Sequence, residues 1–112
     1  IVAVAEPNDR GRGEFMEQYE IPAGYTDMKE MMDNEDLDLV SVCTWHLLHE
    51  PQTLLAASYL PKAIICEKPM TVGTASADRM IVECEERHVK LVIGHQRRFY
   101  QTQMGLKFPW SL

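Results

Sequence analysis

The sequence predicts an α/β domain on a parallel, doubly wound sheet, and three observations predict it. Four short segments rich in Val, Ile and Leu recur at 1–5, 37–43, 62–66 and 90–94. Each is close to continuously apolar, the pattern of strands covered on both faces by helices. Between them lie segments with capping residues and apolar positions at helical spacing, so strand and helix alternate as right-handed crossovers require.

Taken in order, "IVAVA" (1–5) is the first strand. Asn8 or Asp9 can cap a helix through "EFMEQY", and Thr26 or Asp27 one through "MKEMMD". "LDLVSVC" (37–43) is the next strand. "HEPQTLLAASYL" reads as a helix with Pro51 in its first turn, where a missing N–H costs little. "KAIIC" (62–66) follows. Thr71 or Thr74 can cap "ASADRMIVECEER", whose Ala77, Met80, Ile81 and Cys84 share one face. "KLVIG" (90–94) is the last strand. The methionines read as core filler.

Composition excludes several classes. The 112 residues are 46% apolar and 25% charged, a globular composition for one small domain. No apolar run approaches the roughly 18–20 residues of a membrane helix. The net charge of −6 argues against a nucleic-acid partner, which would need a basic stripe. Cys43, Cys66 and Cys84 are odd in number, and two of them fall inside strand patterns, where a thiol behaves as a small hydrophobe. That favours a reducing, cytoplasmic setting over a disulfide framework. No CxxC or HxxxH spacing suggests a metal. The chain opens on a strand without an initiator Met, so we expect a piece of a longer protein.

In open α/β sheets, ligands bind at the carboxyl ends of the strands, and this chain sets its polar residues there. Glu6 follows the first strand and can accept from both hydroxyls of an adenosine ribose; the alternative is a solvated loop acid. Arg10 and Arg12 lie close enough to meet a 2′-phosphate instead, so NAD and NADP both stay open, with Glu6 favouring NAD. "GRGEFM" (11–16) is a poor phosphate loop, since Met16 stands where a third glycine belongs; it reads as an exposed first helical turn. Thr44 sits at a strand tip, where its hydroxyl can bond a cofactor ribose or phosphate. His46 lines the rim, and His49 can cap the next helix and brace the loop; both are counted among the cofactor-binding candidates. In "IICEKPM" (64–70), Lys68 can hold a substrate hydroxyl and stabilise the alkoxide that develops as hydride leaves its carbon. Glu67 can hold a ribose or the nicotinamide side, and a cis Lys68–Pro69 bond is compatible with the motif.

"YTDMKEMMDNEDLDLVSVCTWHLLHEPQTLLAA", "ICEKPM" and "VKLVIGHQRRF" resemble the glucose–fructose oxidoreductase / inositol dehydrogenase (Gfo/Idh/MocA) family of NAD(P)-dependent oxidoreductases. The match covers nearly Ile1 to Tyr100. The family's Thr-Pro-Asn-x-x-His motif stands here as Thr44-Trp45-His46-Leu47-Leu48-His49, with Trp-His in place of Pro-Asn. The resemblance implies a Rossmann cofactor domain followed by a second α/β domain. It implies hydride exchange between nicotinamide and a secondary alcohol of a sugar or cyclitol. Lys68 would contact cofactor and substrate, Arg98 would lie near the cofactor, and the intact parent would be a homo-oligomer. The expected division is a partial NAD(P)-binding domain over 1–100 and a tail of unclear structure over 101–112.

Two departures matter. The family's opening strand and Gly-x-Gly-x-x-Gly turn are not in the sequence, and neither is the second domain, which supplies an Asp and a His to orient and deprotonate substrate. In the strand order 3-2-1-4-5-6 the missing strand lies mid-sheet. Unpaired buried backbone groups would cost ~1–3 kcal/mol each, against the ~5–15 kcal/mol that holds a small domain together. The chain alone is therefore expected to be inactive. The rival reading is a non-catalytic Rossmann-like nucleotide-binding or oligomerisation module.

Overall fold

The computed structural model describes residues 1–96; Arg98 and the expected tail over 101–112 lie outside them. The order is β1 (Ala3–Ala5), α1 (Asp9–Tyr19), β2 (Ala23–Tyr25), α2 (Met28–Asn34), β3 (Leu39–Val42), α3 (His49–Ser58), β4 (Ala63–Glu67), α4 (Thr74–Glu86) and β5 (Lys90–Gly94). A 3-10 turn, His46–Leu48, leads into α3. Every strand pairing is parallel.

The strands form two sheets, β1–β2 and β3–β4–β5. Among the described residues nothing pairs with the outer edge of β1 or of β3. In the strand order expected above, a further strand would stand at this break, between β1 and β3. The two halves still share one core: Met31 and Met32 of α2 join Val40, Val42, Ile64, Cys66, Met80 and Cys84, with Ala3, Ala5 and Tyr25 packed against them.

Local chemistry sets the helix starts. Asn8 Oδ1 accepts from Gly11 N–H at 2.8 Å, and Asp27 Oδ1 accepts from Glu30 N–H at 3.0 Å, so the first alternative at one cap and the second at the other hold. The third cap is a correction. Neither Thr71 nor Thr74 caps α4, whose N-cap is Gly73 with no side-chain bond. The glycines of "GRGEFM" lie inside α1, and no residue of α1 is buried. Its contact with the sheet runs through Met16 onto Gly24 of β2. A Cβ at Gly24 would collide with Met16 Sδ, so glycine there lets the helix approach.

In β3 and β4 buried and less covered residues alternate, so one face is covered more than the other. Val40, Val42, Ile64 and Cys66 are buried under α3 and α4, whereas Leu39 is 53% and Val92 41% exposed. Within α4, Met80 and Cys84 are buried, but Ile81 is exposed and does not share their face. Cys43 lies just past β3 and is exposed rather than inside a strand. No helix among the described residues is long and apolar enough to cross a membrane.

Candidate functional site

The turns leaving β3 and β4 meet, beside the end of β5. At the end of β4, Glu67 is paired with Gly94 of β5. The Glu67 side chain lies over that glycine: a Cβ on Gly94 would stand 3.0 Å from Glu67 Oε1. Its other oxygen, Oε2, accepts from Lys68 N–H at 3.1 Å. The Lys68 side chain is exposed. Among the described residues its ammonium has no hydrogen-bond or ion-pair partner, so the charge is available to a ligand. The Lys68–Pro69 bond is cis.

The β3 loop is tied to this turn by His49. The ring is 1% exposed. Its Nδ1 is 2.8 Å from Pro69 O and its Nε2 is 3.0 Å from Thr44 O. His49 therefore braces the loop and does not cap α3, whose N-cap residue is Leu48. The Thr44 hydroxyl donates to Gln52 Oε1 at 2.6 Å, which leaves its lone pairs to accept. His46 is exposed in the 3-10 turn beside Trp45, which is 78% exposed.

Glu6 stands at the tip of β1, on the other sheet. Its backbone N–H continues the pairing by donating to Tyr25 O at 3.0 Å. Its Oε1 accepts from Asn8 N–H at 2.8 Å, and among the described residues Oε2 has no partner. The neighbouring arginines are engaged locally. Arg12 donates to Glu6 O at 2.7 Å and to Asp9 Oδ1 at 2.6 Å, and Arg10 donates to Glu14 Oε1 at 2.7 Å. Among the described residues no hydrogen bond joins Glu6 to Thr44, Glu67 or Lys68. The structure thus brings Thr44, His49, Glu67 and Lys68 together directly and leaves Glu6 on a separate strand tip. Arg98 lies outside the described residues.

Two of the cysteines are buried. Burial pushes the thiols of Cys66 and Cys84 above their usual range, the opposite of an activated thiol. The sequence reading missed Gly94 and Gln52. A glycine closing the Leu91-Val92-Ile93 run is the signal that could have found Gly94. Gln52 carries none, because its partner is set by the turn at 46–48.

This arrangement suits a dinucleotide chemically. The Thr44 hydroxyl and the Glu67 carboxylate can accept from hydroxyls, the Lys68 ammonium can meet negative charge, and Gly94 leaves room for the Glu67 carboxylate.

Comparison with known proteins agrees. A family model described as "Oxidoreductase family, NAD-binding Rossmann fold" matches residues 1–95. The mouse (Mus musculus) trans-1,2-dihydrobenzene-1,2-diol dehydrogenase is 29% identical over 107 residues, 96% of this chain and 32% of that protein. The myo-inositol 2-dehydrogenase of Thermotoga maritima shows the same identity and coverage. Among solved structures, the aldose–aldose oxidoreductase of Caulobacter crescentus, complexed with glycerol, superposes with a TM-score of 0.76 at 34% identity. That match covers 88% of this chain and 30% of the other. The chain thus spans about a third of the length of the relatives it matches.

Proposed function

The chain belongs to the oxidoreductase family with the NAD-binding Rossmann fold, and on that premise we propose that the whole protein transfers hydride between NAD and a secondary alcohol of a sugar or cyclitol. One observation carries the reading: the Lys68 ammonium, at the turn leaving β4, has no partner among the described residues. Relatives named for myo-inositol and for a dihydrodiol support a ring-borne secondary alcohol as substrate.

Thr44 and Glu67 would hold the cofactor's hydroxyls, and Glu6 its adenosine ribose. Bound nicotinamide supplies the hydride acceptor. Lys68 would donate a hydrogen bond to the reacting oxygen and stabilise the negative charge that grows there as the C–H bond breaks. A group outside the described residues would take the hydroxyl proton.

The choice of NAD over NADP rests on Glu6 and its neighbours. Glu6 keeps one carboxylate oxygen open, and a 2′-phosphate beside it would meet like charge. The two arginines able to offset that charge are held by Asp9, Glu14 and the Glu6 carbonyl. Titrating the protein with NADH and NADPH tests this. Tighter binding of NADH is expected, with the preference lost in Glu6→Gln. Equal or tighter binding of NADPH by the unaltered protein would refute it. Oxidation of a panel of polyols with NAD tests the substrate class.

A further inference from the structure

The sheet β3–β4–β5 has two unlike faces. Register sets Val40, Ile64 and Leu91 side by side, and Val42, Cys66 and Ile93 beyond them. This side is packed with Ala56 and Ala57 of α3 and with Met80 and Cys84 of α4. The alternate residues form the other side: Leu39, Ala63 and Lys90 abreast, then Ser41, Ile65 and Val92. Leu39 and Val92 are exposed there. Parallel sheets are ordinarily covered on both faces, so an apolar strip running through Leu39, Ile65 and Val92 calls for an occupant.

Two features of the chain select it. The first is continuity. Residues 97–112 follow β5, the strand that carries Val92. Sixteen residues reach up to ~50 Å when extended, and a strand of five residues is only ~17 Å long, so the segment can run back along the whole face. The second is composition. The segment holds Phe99, Tyr100, Phe108 and Trp110, together with Arg97, Arg98 and Lys107, and no acidic residue; all 17 acidic residues lie in 1–96. Aromatic rings fit the apolar strip, and the cations fit an acidic body. A second copy of that body would bring like charge to like. On the open side the charged positions are Lys90 at one end and Glu67 at the other, and the segment enters at the Glu67 end.

We propose that residues 97–112 dock on the open face of β3–β4–β5, with their aromatic side chains against Leu39, Ile65 and Val92. The docking does not depend on the chemistry proposed above.

The test is NMR of the full chain, methyl-labelled at Leu, Ile and Val, without nucleotide. Nuclear Overhauser contacts are expected between the methyls of Leu39, Ile65 and Val92 and the rings of Phe99, Tyr100, Phe108 or Trp110. The Leu39 and Val92 methyls should be shielded from a soluble paramagnetic agent, whereas those of Leu47, exposed in the 3-10 turn, should not. Val92→Asp should abolish the ring contacts while the amides of Ala56, Met80 and Cys84 hold their positions. Methyls at Leu39 and Val92 as open to the agent as those of Leu47 would overturn the proposal. So would ring contacts seen only between differently labelled copies, since a second copy would then be the occupant. If Val92→Asp does not fold, the contacts in the unaltered chain decide.

Discussion

The two sheets of this chain differ in how they are held. Around β3–β4–β5, the side chains of Ile64, Cys66, Met80, Cys84, Thr53 and His49 are all fully buried. Around β1–β2, α1 buries nothing and each residue of β1 is only partly covered. The site residues divide the same way. Thr44, Glu67 and Lys68 ride on the packed half, and Glu6 rides on the loose one. The packed half can hold catalytic geometry rigidly, whereas the loose half contributes a contact that depends on how the two sheets are kept in register.

The largest effect should come from the centre of the packed half. Ile64→Ala removes a fully buried side chain and is expected to destabilise by about 2–5 kcal/mol. Val4→Ala in half-buried β1 should cost about 1 kcal/mol or less. Denaturant unfolding of both variants checks the contrast, and equal losses would erase it.

Lys68→Met separates site from scaffold. Lys68 is exposed, so the unfolding midpoint should stay put. In the active protein, loss of charge stabilisation at the reacting oxygen should lower turnover about 10²–10³-fold. Steady-state rates alongside a melting curve read both quantities.

A smaller effect probes the tie between the halves. Asp33, just before the end of α2, accepts from Lys29 and from Tyr59, the residue that ends α3. The Lys29 ammonium first, and the Tyr59 hydroxyl second, hold the Asp33 carboxyl below the usual carboxylate range. A carboxyl lowered in the folded state contributes stability above its unfolded value and loses it as pH falls through the folded one. The contribution is thus present at neutral pH and disappears on acidification below the ordinary carboxylate range. Asp33→Asn should flatten the acid limb of the melting temperature against pH. An acid limb as steep as the wild type's would show that Asp33 is not part of the tie.

How far the sequence disclosed all this depended on range. The strands β3, β4 and β5 and the polar residues at their ends were legible, because a buried parallel strand followed by charge leaves a local pattern. The Asn8 and Asp27 caps were legible for the same reason. β2 was not: "AGY" is three residues with a glycine at its centre, too short for any period. That β3 and β5 turn Leu39 and Val92 outward was also hidden, since a continuously apolar strand reads the same whether one face is covered or two. The ring partners of His49 belong to different loops, one of them twenty residues further on, and no local rule links them. Glu67 over Gly94 is likewise a product of strand register.

The central claim is that the strand tips of both sheets gather around one dinucleotide, with Lys68 among them. Titrating NADH into the chain while following backbone amides by NMR tests it most directly. Saturable shifts at Glu6, Thr44, Lys68 and Gly94 are expected together, with Lys62 and Val89 at the opposite strand ends unmoved. Shifts confined to Lys62 and Val89, or none at the four tips at saturating NADH, would contradict it.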